Sequence, residues 1–82
     1  MNVLNLLGTR VIELLQSITA PWWVEIVTDR PRCVYYFGPF RTANEAELAQ
    51  SGYLEDLQNE GAQGIGVTIK RCYPQVLTDC QE

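Results

Sequence analysis

The chain has 82 residues, 46% of them hydrophobic and 20% charged, a balance too apolar for intrinsic disorder and sufficient for one small core. Ten acidic against six basic residues leave a net charge of −4, which opposes unaided binding to nucleic acid or anionic lipid and favours basic protein partners. There is no histidine, which removes the commonest general base and the commonest metal ligand together.

Residues 2–18 read as an amphipathic helix. Leu4, Leu7, Val11, Leu14, Leu15 and Ile18 recur at spacings of three and four, with Asn2, Asn5, Thr9, Glu13 and Gln16 opposite. Val3, Leu6 and Ile12 widen the apolar stripe beyond what a small sheet covers, so Leu6 and Ile12 are candidate contacts for a protein partner or for a second copy of the chain. The segment is too short for a membrane span and carries Arg10 and Glu13, and its polar face lacks the Lys and Arg of an interfacial helix. No basic region precedes the apolar residues as in a cleavable leader, so a cytoplasmic location is expected. Pro21 biases Ala20 away from helix and ends the element.

Trp22–Thr28 and Cys33–Phe37 read as a β-hairpin closed by Asp29-Arg30-Pro31-Arg32, since the runs are rich in β-branched and aromatic residues and Pro31 fits the turn. At period two, Trp22, Val24, Ile26 and Thr28 share one face and Trp23, Glu25 and Val27 the other. Trp22 is expected in the core and Trp23 partly exposed. Cys33, Tyr35 and Phe37 share a face of the second strand, with Val34 and Tyr36 opposite. Trp23 and Tyr36 are therefore candidate contacts for a protein partner, because aromatic residues are enriched at interface hot spots.

Gly38-Pro39-Phe40 closes the strand, and Thr42-Ala43-Asn44-Glu45 forms a capping box. The helix it opens follows Ala46, Ala49, Tyr53 and Leu57 to about Asn59, with Gly52 permitting a kink or a split into two short helices and Gly61 the stop. Residues 64–72 form a third strand with Ile65, Val67 and Ile69 inward. Glycines 61, 64 and 66 follow a helix instead of opening one and lack a GK[ST] sequence, so they serve capping and strand entry, not phosphate binding. Residues 75–82 read as a loosely held tail. The expected architecture is a single α+β domain over residues 1–82, in the order αββαβ, with its helices on one face of a small antiparallel-type sheet: a helix at 1–20, a ββαβ core at 21–74 and the tail.

Glu45, Glu47, Glu55, Asp56 and Glu60 lie in the stretch 43–69, which holds no basic residue, and Glu55 and Asp56 are candidates for a rim that orients a partner. Cys33, Cys72 and Cys80 are an odd number at wide spacing, which argues for free thiols in a reducing compartment and against a disulfide scaffold. They cannot complete a tetrahedral zinc site alone, so neither metal nor cofactor is expected. Arg32 and Arg71 precede Cys33 and Cys72, and if the second and third strands were neighbours these two cysteines would form a redox pair.

In PWWVEIVTDRPRC, YYFGPF, EAELAQSGYLEDLQNEGAQGI and IKRCYP the chain resembles a family of short cyanobacterial proteins classed as a domain of unknown function. The resemblance spans about Pro21 to Pro74 and implies a cyanobacterial cytoplasmic protein without a catalytic residue to carry over. Two narrower likenesses compete. The segment EGAQGIGVTIK after a helix looks like the small linker domain of phycobilisome rods, and YFGPFRTANEAELA is similar to the strand-to-helix turn of plant AP2-type and phage-integrase DNA-binding domains. The last kind presents a basic sheet, whereas this hairpin offers Arg30 and Arg32 and few other cations.

The sequence thus points to a non-enzymatic adaptor or regulator that binds a protein partner, with an association with the photosynthetic or phycobilisome machinery. Thiol chemistry at Cys33 and Cys72 is the alternative from another class, and DNA binding the third.

Overall fold

The computed structural model describes residues 18–81, in which two strands, a helix and two further strands follow one another. Strands β1 (Trp22–Asp29) and β2 (Arg32–Phe40) form an antiparallel hairpin around Arg30 and Pro31, with Asp29 opposite Arg32. Helix α1 (Ala43–Asn59) leads to β3 (Gly66–Arg71), and β4 (Thr78–Gln81) completes a fully antiparallel sheet in the order β3-β1-β2-β4.

This architecture corrects the expected αββαβ order with three strands. Among the described residues the order is ββαββ, and the fourth strand is built from residues that read as a loose tail. The sequence Thr78-Asp79-Cys80-Gln81 is short and exposed throughout, so it carries no alternation to reveal a strand. It forms because the outer edge of β2 presents unpaired backbone groups, which the tail satisfies from Thr78 opposite Tyr35 to Gln81 opposite Arg32. The amphipathic segment expected at residues 2–18, with Leu6 and Ile12, lies outside the described residues apart from Ile18.

Strand β2 also runs past Phe37, where the sequence placed its end. Trp22 pairs with Phe40 and Val24 with Phe37, so β2 accommodates one extra residue at Gly38-Pro39 as a bulge and continues. Gly38 sits here at φ 148°, and a Cβ on it would come to 3.0 Å from Cε3 of Trp23.

Helix α1 is unbroken through Gly52 and is closed at both ends as its sequence dictates. The Thr42 hydroxyl accepts from the Glu45 amide at 3.1 Å, and the Glu45 carboxylate accepts from the Arg41 amide, one residue earlier than in the standard capping box. At the other end Gly61, at φ 88°, donates to the Gln58 carbonyl and Ala62 donates to that of Leu57. That pair of bonds is a Schellman motif, with Ala62 and Leu57 as its apolar contact. No segment of the described residues is a helix long and apolar enough to cross a membrane.

Val24, Ile26, Ala46 and Leu57 form the core between the sheet and α1, and Trp22, Phe37, Phe40, Tyr53, Val67 and Ile69 pack around them. Val24 and Ile26 are fully buried, each burial worth about 1.5–3 kcal/mol. Thr28 completes the inward face of β1 and its hydroxyl donates to the Pro31 carbonyl across the turn. Replacing Gly61 by Ala places a Cβ in the left-handed conformation and should lower stability by about 1 kcal/mol, whereas Thr42→Ala should cost about 1 kcal/mol through the lost cap. Urea denaturation checks both, and two unchanged midpoints would show that the helix ends do not limit stability.

Candidate functional site

Strand alternation sorts the sheet into two chemically different faces. The face away from α1 carries Trp23, Glu25 and Val27 from β1, Val34 and Tyr36 from β2, and Thr68 and Lys70 from β3. Glu25 faces Tyr36 in register, and its Oε2 accepts from the Tyr36 hydroxyl at 2.7 Å and from Lys70 Nζ at 3.1 Å. Burial works against the charged form of Glu25, yet the hydrogen bonds from Tyr36 and Lys70 outweigh it and hold the carboxyl below its ordinary range. The same bond, with burial added, pushes the Tyr36 phenol up to about 12. Glu25 therefore contributes stability that is present above its unfolded pKa and is lost as pH falls through the lowered folded value. Tyr36 contributes stability that is full below about pH 10 and is lost as pH rises through about 12.

Tyr36, expected as a partner contact, thus has its hydroxyl committed to Glu25. Trp23, the other expected contact, is only 8% exposed, and its Nε1 donates to the Cys72 carbonyl at 3.1 Å. Trp22 is the more open of the two, half-buried, with the Arg71 guanidinium 5.2 Å from its ring centroid. The expected order of exposure is therefore reversed. The alternation placed Trp23 on the correct face, but the bulge at Gly38 and the turn into Cys72 bring backbone against that ring.

On the face beneath α1, the helix packs over β3, β1 and β2 but does not reach β4. The uncovered margin is a groove of about 280 Å³. Tyr53, Asp56 and Leu57 line it from α1, and Glu60 from the C-cap continues their spacing, with Tyr35 and Phe37 from β2 and Thr78 from β4 opposite. The Phe37 and Tyr53 rings stack with centroids 4.1 Å apart, and Tyr35 continues the stack at 6.0 Å from Phe37. Asp56 and Glu60 stand exposed on the rim at the helix C-terminus, which carries about half a negative charge of its own, and α1 has no basic residue in its last turn. The groove thus joins an apolar floor to a concentrated negative rim. Of the two carboxylates expected to orient a partner, Asp56 lies on it and Glu55 points elsewhere.

The cysteines pair differently from the expected redox couple. Strand β1 separates β2 from β3, and Cys33 stands opposite Thr28 while Cys72 bonds through its amide to Pro21, so the two lie about 20 Å apart along the sheet. Cys33 is instead joined to Cys80 in a disulfide, with a Cα–Cα distance of 4.0 Å. The Tyr36 amide donates to the Leu77 carbonyl, so by alternation the Cys33 amide faces β1 and Cys33–Cys80 is a non-hydrogen-bonded pair, where side chains approach most closely. Linking residues 47 apart is worth roughly 2–4 kcal/mol. Cys72 is free and half-buried, and burial raises its thiol pKa, with Glu25 adding to the rise and Lys70 opposing it. No cluster of metal-ligating side chains occurs among the described residues.

The family model of a domain of unknown function, DUF1816, matches residues 15–78. The chain belongs to this family. No curated protein and no solved structure matches it. The matched part of the DUF1816 chain takes in β1, β2, α1 and β3 together with every residue that lines the groove, while Cys80 falls outside it. Tyr35, Phe37, Tyr53, Glu60 and Thr78 are groove residues that sequence reasoning did not assign to a site. The signal present was the spacing of Tyr53 and Leu57 with Asp56 and Glu60, which also describes an ordinary core stripe.

Replacing Glu25 by Gln removes the charge that holds the Tyr36 proton. The Tyr36 phenol should then titrate well below about 12, toward its ordinary value, as followed by its ring carbon shift against pH. An unchanged titration would mean that Glu25 does not bond Tyr36 in solution.

Proposed function

We propose that this DUF1816 protein is a small non-enzymatic protein-binding module, an adaptor or regulator, that takes a side chain of its partner into the groove between α1, β2 and β4. The observation that carries this reading is the stacked aromatic floor of Tyr35, Phe37 and Tyr53 beneath the carboxylates of Asp56 and Glu60. At about 280 Å³ the groove lies at or below the small end of ligand sites, which are about 300–1,000 Å³, and suits one or two side chains. The negative rim selects a cationic group, and arginine satisfies both demands because its planar guanidinium stacks on aromatic rings and pairs with carboxylates. The partner segment is therefore an apolar residue next to an arginine or lysine. Tyr73, Val76 and Leu77, in the connection to β4, are each more than half exposed.

The outward face of the sheet favours this reading over nucleic-acid binding, because its central charge is Glu25, with Lys70 already bonded to it. A cyanobacterial cytoplasm and attachment to the photosynthetic or phycobilisome machinery are proposed on the resemblance noted in the sequence.

Titration with N-acetyl-phenylalanyl-arginine amide tests the groove. The expected result is saturable shift changes at Tyr35, Phe37, Tyr53 and Thr78 with a millimolar Kd, equivalent to about 4 kcal/mol. Affinity should fall by about tenfold in Asp56→Lys, and the corresponding glutamate peptide should bind more weakly. Shifts scattered over the surface, or equal binding by Asp56→Lys, would overturn the assignment.

A further inference from the structure

Strand β4 has few ties to the rest of the molecule. All four of its residues are exposed, and among the described elements it packs on β2 alone. It is held by a short ladder, by the Tyr36 amide bond to the Leu77 carbonyl at 2.8 Å, and by the Cys33–Cys80 disulfide. So short an edge strand without a covered face belongs to the low end of local stability. Yet it forms one wall of the groove, because Thr78 lines it opposite the helix and pairs in register with Tyr35.

The two cysteines differ in exposure. Cys33 is 1% exposed on the inward face, whereas Cys80 is exposed on the edge. A dithiol reductant can therefore reach the Cys80 sulfur first.

We infer that the Cys33–Cys80 disulfide is a redox latch on the partner groove, closing its β4 wall when oxidised and releasing that wall when reduced by a dithiol. The inference rests on the groove reading above. One thiolate of the dithiol attacks Cys80 Sγ, the Sγ–Sγ bond breaks, and Cys33 leaves as a thiolate that takes up a proton. The second thiolate of the reductant then attacks its own sulfur in the mixed disulfide and releases Cys80, which is protonated in turn. Two electrons pass to the protein, and the reductant ends as its own disulfide. The β4 ladder, deprived of its covalent tie, opens at Thr78, and Tyr35 loses the neighbour that completes the groove. Binding is thereby confined to the oxidised protein.

The test uses the full chain with Cys72→Ser, to prevent mispairing, in oxidised form and after reduction with dithiothreitol. Binding of N-acetyl-phenylalanyl-arginine amide and amide hydrogen exchange are measured on both forms. Reduction should speed exchange at the Tyr36 amide by about tenfold or more while the Ile26 amide stays protected, and should weaken probe binding by about tenfold, with both restored on reoxidation. Unchanged Tyr36 exchange overturns the latch, and binding that survives faster exchange overturns its coupling to the groove. Failure of the oxidised protein to bind the probe overturns the groove reading and the gate with it, whereas binding retained in both forms overturns the gate alone. If reduction unfolds the whole sheet, Cys33→Val with Cys80→Thr replaces the bond by packing. Fast Tyr36 exchange and weak binding in a folded double variant support the latch, and unfolding there as well shows a structural bond and overturns it.

Discussion

Strand β1 is bonded along both edges, to β2 on one side and β3 on the other, and every other element takes its place from it. Its inward residues Val24, Ile26 and Thr28 are fully buried and fix which faces of β2 and β3 meet α1. Because side chains alternate with period two, this one choice sends Tyr35 and Phe37 beneath the helix and Tyr36 to the opposite face. A slip of one residue would exchange the aromatic floor of the groove for Tyr36 and Val34.

The groove follows from a mismatch in width. The single helix α1 packs over β3, β1 and β2 and leaves β4 bare. The same helix face that supplies Leu57 to the core supplies Asp56 and Glu60 at its margin. Negative charge at the negative end of a helix is locally unfavourable, and Asp56 and Glu60 stand at that end of α1 with no basic residue in its last turn.

The disulfide and the free thiol show how topology decides cysteine chemistry. A couple of Cys33 and Cys72 required the second and third strands to be neighbours, yet the insertion of β1 between them separates the two cysteines, and the pairing of the tail brings Cys80 to Cys33 instead. Cys72, bonded to the chain near Pro21 and partly buried, has its thiol pKa raised by that burial.

Local pattern was enough to place β1, the hairpin turn, the two ends of α1 and β3, because alternation, helical spacing and the caps at Thr42 and Gly61 are properties of neighbouring residues, while the continuity of α1 through Gly52 and the run of β2 to Phe40 came from the structure. It also indicated Asp56, since a run of carboxylates without basic residues is visible in one dimension. The fourth strand, the Cys33–Cys80 bond, the burial of Trp23 and the assembly of Tyr35, Phe37, Tyr53 and Thr78 into one groove were decided by tertiary structure. Each depends on contacts between residues far apart in the chain. The residues of β4 acquire a reason to be extended only when an open edge of β2 stands beside them, and Trp23 is buried only when Gly38 and Cys72 close on its ring.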